Sequence, residues 1–148
     1  MVSALGASTV NTIIALSVSS IPIFARIIRS SFMTCRDQEY VEAAVATNAN
    51  DFEIIFKHVL PNAISPLIVQ VTMSLGMSIL AASTLSFLGL GAQPPSPEWG
   101  TMISEGRNYL RNYPYLALFP GLAIMIAVLS FNLLGDGLRD ALDPKLKD

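Results

Sequence analysis

Charged side chains are missing from three long stretches of the sequence and crowded into the intervals between them. No ionisable side chain stands between Met1 and Ala25, and Leu5, Val10, Ile13, Ile14, Leu16 and Val18 make that stretch apolar. A second uncharged stretch runs from Val59 to Pro97. Its apolar heart extends from Pro66 to Leu90, where Gly91 and the run Gln93-Pro94-Pro95-Ser96-Pro97 break it. The third lies between Arg111 and Asp136 and carries Leu116, Phe119, Leu122, Ile124, Ile126, Val128, Leu129 and Leu133. A charge near the bilayer centre costs about 2.5 to 3.5 kcal/mol on insertion scales, so uncharged apolar windows are candidates for crossing roughly 30 Å of hydrocarbon. The pattern predicts an all-α, polytopic transmembrane helical bundle. Its spans fall at about residues 3–25, 66–90 and 114–135, the third starting or kinking at Pro120-Gly121.

The basic residues set an orientation. Arg26, Arg29, Arg36 and Lys57 follow the first span, Arg107 and Arg111 the second, and Arg139, Lys145 and Lys147 the third. The two outer groups share a side and hold most of the positive charge. By the positive-inside rule the 36–61 loop and the 136–148 tail are cytoplasmic, and the 92–112 loop is external. Arg26 and Arg29 read as interfacial anchors where the first span leaves the membrane. A cleavable signal peptide fits the first stretch poorly, because no positive residue precedes it. With Met1 on the external side, the chain reads as the C-terminal part of something longer, lacking an odd number of spans.

Composition narrows the class without changing this picture. Hydrophobic residues make up 52% and charged residues 14% of the 148 positions, against about 25% charged in soluble domains. A net charge of −2 offers no basic patch for nucleic acid, and the single cysteine, Cys35, excludes an internal disulfide framework or a cysteine zinc cluster.

The first charged interval has helical character. Arg36 to Ala46 reads as a short helix with Val41, Ala44 and Val45 on one side, interrupted at Thr47-Asn48-Ala49-Asn50. A second helix is expected to start at Asn50, with its side chain as cap and Glu53 reaching back, and to continue through Phe52, Ile54, Ile55 and Phe56 until Pro61. Ala43 and Ala44 would let a partner surface approach closely, and Phe52, Ile55 and Phe56 would add apolar contact area. Such a helix-turn-helix either docks a cytoplasmic protein or folds back on its own membrane domain; periodicity alone does not choose.

Within this interval, Glu42-Ala43-Ala44, a turn, and then Leu60-Pro61 resemble the EAA loop of permease subunits in binding-protein-dependent ABC importers. Glu39-Tyr-Val-Glu-Ala-Ala and Ile54-Ile-Phe-Lys-His-Val-Leu-Pro-Asn-Ala are similar to the dipeptide, oligopeptide and nickel branch. So are Leu85-Ser-Phe-Leu-Gly-Leu-Gly, Gln93-Pro-Pro-Ser-Pro-Glu-Trp-Gly, Ala117-Leu-Phe-Pro-Gly-Leu-Ala-Ile and Asn132-Leu-Leu-Gly-Asp-Gly-Leu-Arg-Asp-Ala-Leu-Asp-Pro. The resemblance implies a type I ABC importer permease fold in the plasma membrane of a bacterium or archaeon. Residues 1–148 would form one partial permease domain, the last three of about six spans.

What the resemblance implies functionally is ATP-driven import, of dipeptides or oligopeptides first, with nickel or another small solute as the alternative. A truncated, non-transporting scaffold that still docks a cytoplasmic protein is a reading of a different class. Implied partners are ABC ATPase subunits, a second permease subunit, an extracytoplasmic substrate-binding protein and membrane lipid. Glu42, Ala43, Ala44, Asn48, Phe52, Leu60 and Pro61 would form the ATPase-coupling loop. Asn48 stands where the family pattern has glycine, and asparagine tolerates the left-handed backbone better than most residues. No cofactor or metal is implied. No Gly-x-x-x-x-Gly-Lys-Ser/Thr loop is present, so ATP hydrolysis is expected in a separate chain and this one is not an enzyme.

Other residues carry weaker signals. On spacing alone Glu42 is a solvated helix carboxylate; the resemblance reverses that preference. His58 has no cluster at metal-ligand spacing and reads as a loop residue beside the membrane. Ser74, Ser78, Ala82 and Ser86 recur every four residues in the second span, giving a small, weakly polar face for helix packing or, at Ser74, Ser78 and Ser86, for a solute pathway. Trp99, Tyr109, Tyr113 and Tyr115 suit a membrane interface, and Met102, Ile103, Gly106 and Leu110 suggest a short external helix. Gly135-Asp136-Gly137 is expected to end the third span, with an amphipathic turn before Pro144. No paired intramembrane carboxylates or nucleophile constellation supports an intramembrane enzyme.

Overall fold

The computed structural model describes residues 2–142, which are helical throughout their regular structure. The helices are α1 (Val2–Leu5), α2 (Thr9–Arg36), α3 (Glu39–Ala46), α4 (Asp51–Glu53), α5 (Leu60–Phe87), α6 (Trp99–Gly106) and α7 (Tyr115–Leu142). A π-helical segment, Ile54–Val59, joins α4 to α5, and a 3-10 turn, Arg107–Tyr109, follows α6. Three continuous rods, Thr9–Arg36, Asp51–Phe87 and Tyr115–Leu142, are long and apolar enough to cross a membrane.

The rods outrun the uncharged windows at several ends. At 1.5 Å per residue a 28-residue helix is about 42 Å long, more than the hydrocarbon requires. Charge marks where the solvent changes; the backbone hydrogen-bond ladder continues beyond it. Arg26 and Arg29 therefore lie inside α2 and not at its end. The expected stop at Gly135-Asp136-Gly137 does not occur, and α7 continues to Leu142. A glycine closes a helix by turning left-handed, and neither Gly135 nor Gly137 has positive φ. Pro144, Lys145 and Lys147 lie outside the described residues.

At the other end of the chain, Gly6 (φ 90°) separates α1 from α2. Asn11 Nδ2 donates to the carbonyls of Leu5 (2.7 Å) and Gly6 (3.1 Å), and Thr12 Oγ1 to that of Ser8 (2.9 Å). The long helix thus begins at Thr9 rather than near residue 3. Pro120 lies inside α7, whose first residue is Tyr115.

The described residues divide into two compact units, 2–20 with 72–134, and 21–71 with 135–142. In the first, α5 and α7 meet at Gly76. A Cβ there would lie 3.3 Å from the Val128 carbonyl oxygen and 3.6 Å from Asn132 Oδ1. Small residues allow this approach between membrane helices. The buried face of α5 carries Thr72, Gly76, Ser83 and Ser86. Four-residue spacing drifts about 40° per step around a helix, which is why the serine series does not form one buried stripe. Ser86 is buried, Ser74 and Ala82 are half-buried, and Ser78 is exposed with its hydroxyl donating to the Ser74 carbonyl (2.8 Å).

In the second unit, α3 packs on the π segment. Across all three rods, little of the apolar window is covered, only 11% in α2 and in α7. Ile21, Phe119, Ile126 and Leu133 are all exposed. Helices apolar all round and uncovered present their flanks to lipid or to further helices.

Candidate functional site

The segment from Glu39 to Asn62 begins with α3. Its residues Val41 and Ala44 are buried, while Glu42, Ala43 and Val45 are exposed. The helix ends in a backbone-built turn. Asn48 N–H donates to the Val45 carbonyl (2.9 Å) and Ala49 N–H to that of Ala44 (3.2 Å), the paired bonds of a Schellman motif. That motif requires a left-handed residue, and Asn48 supplies it at φ 59°. Thr47 Oγ1 adds a bond to the Ala44 carbonyl at 2.9 Å.

The next helix departs from expectation twice. Asn50 precedes α4 with extended backbone but makes no side-chain cap bond. Glu53 does not reach back; it pairs with Lys57 at 3.0 Å, one turn ahead. Nor does the helix stop at Pro61. It widens into the π segment, whose end is marked by Leu60 N–H donating to the Ile55 carbonyl, and continues as α5. Proline in a regular helix clashes with the carbonyl four residues back and has no N–H to donate. A widened turn immediately ahead of Pro61 relieves that clash, so the helix survives the proline.

His58 accordingly stands in the π segment and not in a loop. Its carbonyl accepts from Asn62 Nδ2 (2.8 Å), and the same amide donates to Tyr40 Oη (3.3 Å), tying α3 to α5. Burial pushes the Tyr40 phenol above its usual value near 10; Cys35 beside it adds to the rise, and the Asn62 donor works against it.

The sequence-predicted residues divide between separate faces. Ala43, Ala44 and Asn48 line a groove of about 700 Å³ with Tyr40, Asn50, Lys57 and His58. Glu42 lies elsewhere, in a hollow of about 320 Å³ with Arg36, Val41 and Val45. Phe52 and Phe56 stack in parallel, centroids 6.3 Å apart, and are 72% and 61% exposed. Leu60 and Pro61 form the junction with α5. Tyr40 and Asn62, which bond across the segment, had not been expected to do so.

A second cluster, also not anticipated, joins the far end of α5 to α6. Glu98 accepts from Ser83 Oγ (2.9 Å) and from Thr101 N–H (3.0 Å). Thr101 Oγ1 donates to the Ala92 carbonyl (3.1 Å), and Ala92 N–H donates to Ser86 Oγ (3.1 Å). Ser83, Ser86 and Thr101 are buried. Ser86 thus takes part in this hydrogen-bonded cluster through its hydroxyl oxygen. Glu98 is not among the residue types that usually cap a helix, so the local pattern gave no signal of this cluster.

All 148 residues match the family of binding-protein-dependent transport system inner membrane components. The chain belongs to this family. This inner membrane component is 50% identical over 147 residues to the glutathione transport system permease protein GsiD of Pectobacterium atrosepticum. It is equally similar to the dipeptide transport system permease protein DppC of Alkalihalophilus pseudofirmus. The match covers 99% of this chain but 49% and 48% of those relatives, so the chain spans about half their length. Membership and three apolar rods together make it a multi-pass, all-α membrane chain of the ABC permease class.

Proposed function

We propose that this chain forms part of the permease of an ATP-driven importer and couples transport to a separate ATPase through residues 39–62. The supporting observation is the shape of that segment: a backbone-closed turn beside an open groove, with two stacked phenylalanines left uncovered. In this reading residues 36–61 and 136–148 are cytoplasmic and 92–112 external. Glu42, Ala43, Ala44, Asn48, Phe52, Leu60 and Pro61 belong to the docking element, Phe52 as an apolar anchor and Glu42 as a polar contact on a neighbouring face. ATP-driven closure of the ATPases moves this element, and the membrane helices follow. A second permease subunit covers the open flanks of the rods, together with lipid. Ser74 and Ser78 border the solute pathway.

The named relatives direct the substrate toward peptides, with dipeptides and glutathione, itself a peptide, as first choices. Selectivity then rests largely with an external binding protein. The test uses the full-length permease assembled with its ATPases and binding protein. Glu42→Lys should release the ATPase in co-purification, or leave hydrolysis running without uptake. Normal uptake in that variant would overturn the coupling role. Uptake of labelled dipeptide, longer peptide, glutathione and nickel identifies the substrate, and a complex that retains the ATPase but moves none of them is a scaffold instead.

A further inference from the structure

We infer that Glu98 is a positioning residue that clamps α6 to the end of α5, so that the two move as one body through the transport cycle. Glu98 precedes α6 with extended backbone, and its two carboxylate oxygens do different things. Oε2 accepts the Thr101 N–H, capping the helix, while Oε1 accepts the hydroxyl of Ser83, fifteen residues earlier on α5. Aspartate, serine, threonine and asparagine are the usual caps. Glutamate is one methylene longer than aspartate, and that length is what allows a capping carboxylate to reach a second element. Bonds to an ionised carboxylate are stronger than those between neutral groups.

The surroundings are built for this joint. Gly100 passes so close to Ser83 that a Cβ would lie 2.7 Å from its carbonyl carbon and 2.8 Å from its Cα. Thr101 and Ser86 both bond to Ala92, so the connecting turn is tied to α5 and to α6 at once. Ser83 is only 5% exposed, which leaves little access for competing water. On the open side, Trp99 and Met102 line a hollow of about 330 Å³ with Ile79, Ala82 and Pro97, and the clamp fixes the shape of that hollow.

The test separates clamping from capping. Glu98→Asp keeps a good cap but loses the reach to Ser83; Ser83→Ala keeps the glutamate cap and loses the same bond. Spin labels at Leu80 on α5 and Met102 on α6, both exposed, in the full-length permease complex with other cysteines replaced, report the distance between the two elements. The unaltered clamp should give one narrow distance, identical in the resting and ATP-trapped states. Each single variant should broaden it already at rest, with a roughly tenfold larger released population for one lost charge-assisted bond, and the double variant should add nothing. A distance that stays narrow in both singles leaves Glu98 as a cap only, and a distance that changes between states without any substitution refutes the one-body motion. The resting arm is independent of how the permease is driven.

Discussion

The two ends of α5 handle unfinished backbone and side-chain surface in opposite ways. Ahead of α5, the 39–62 segment closes its turn with main-chain bonds and leaves Val45, Phe52 and Phe56 uncovered, with Tyr40 and Asn62 as its side-chain cross-tie. Behind α5, the 83–106 segment turns its polar groups inward: hydroxyl, carboxylate and amide satisfy one another, and glycines permit backbones to touch. Exposed aromatics mark a surface completed by something else. Behind α5 the polar groups satisfy one another, while Leu88, Trp99 and Met102 stay exposed beside them. The first segment thus closes on its backbone and leaves apolar rings bare, whereas the second ties its polar side chains to one another.

Substitutions can break this contrast. The largest effect is expected at Gly100→Ala, where the new methyl meets the Ser83 backbone and no flexible side chain can yield. A loss of about 1–3 kcal/mol or more should appear as a lowered Tm in detergent, whereas Gly121→Ala, which meets nothing within 4 Å, should not lower it. Next comes Asn48→Ala. Holding alanine left-handed costs about 1–2 kcal/mol, and the same Tm measurement should show Asn48→Gly matching or exceeding the parent.

Phe52→Ala with Phe56→Ala sharpens the comparison from the other side. Because both rings are exposed, the folded chain should lose less than about 0.5 kcal/mol, while ATPase retention in co-purification should fall severalfold. Equal losses of stability and retention would make the pair structural. The smallest effect concerns Tyr40. A phenol whose folded pKa is raised contributes stability that is present below pH 10 and lost as pH rises through the folded pKa. Tm measured from pH 8 to 11 should therefore decline above pH 10 more steeply for the parent than for Tyr40→Phe.

Much of the architecture was legible in charge alone, because the bilayer's penalty on ions is larger than the helix propensity of any residue but proline. Helix ends were not. Pro61 reads as a stop only if the helix remains regular, and the π turn removes that premise. Gly135 and Gly137 read as stops only if they turn left-handed, and they do not. Asn48 was legible because its side chain has few other reasons to replace a turn glycine. The Ser83–Glu98 bond was not: nothing in the local pattern of either residue reveals a partner fifteen positions away, and the four-residue serine rhythm passes over Ser83.

The turn at Thr47-Asn48-Ala49 bears on how freely its sequence can vary. Its shape is written mainly in main-chain bonds, with left-handedness at one position as the chief demand on side chains. Asn48 is one of the residues that line the groove. Glycine and asparagine both suit that backbone, so the chemistry at the rim of the groove can change while the fold of the loop stays intact.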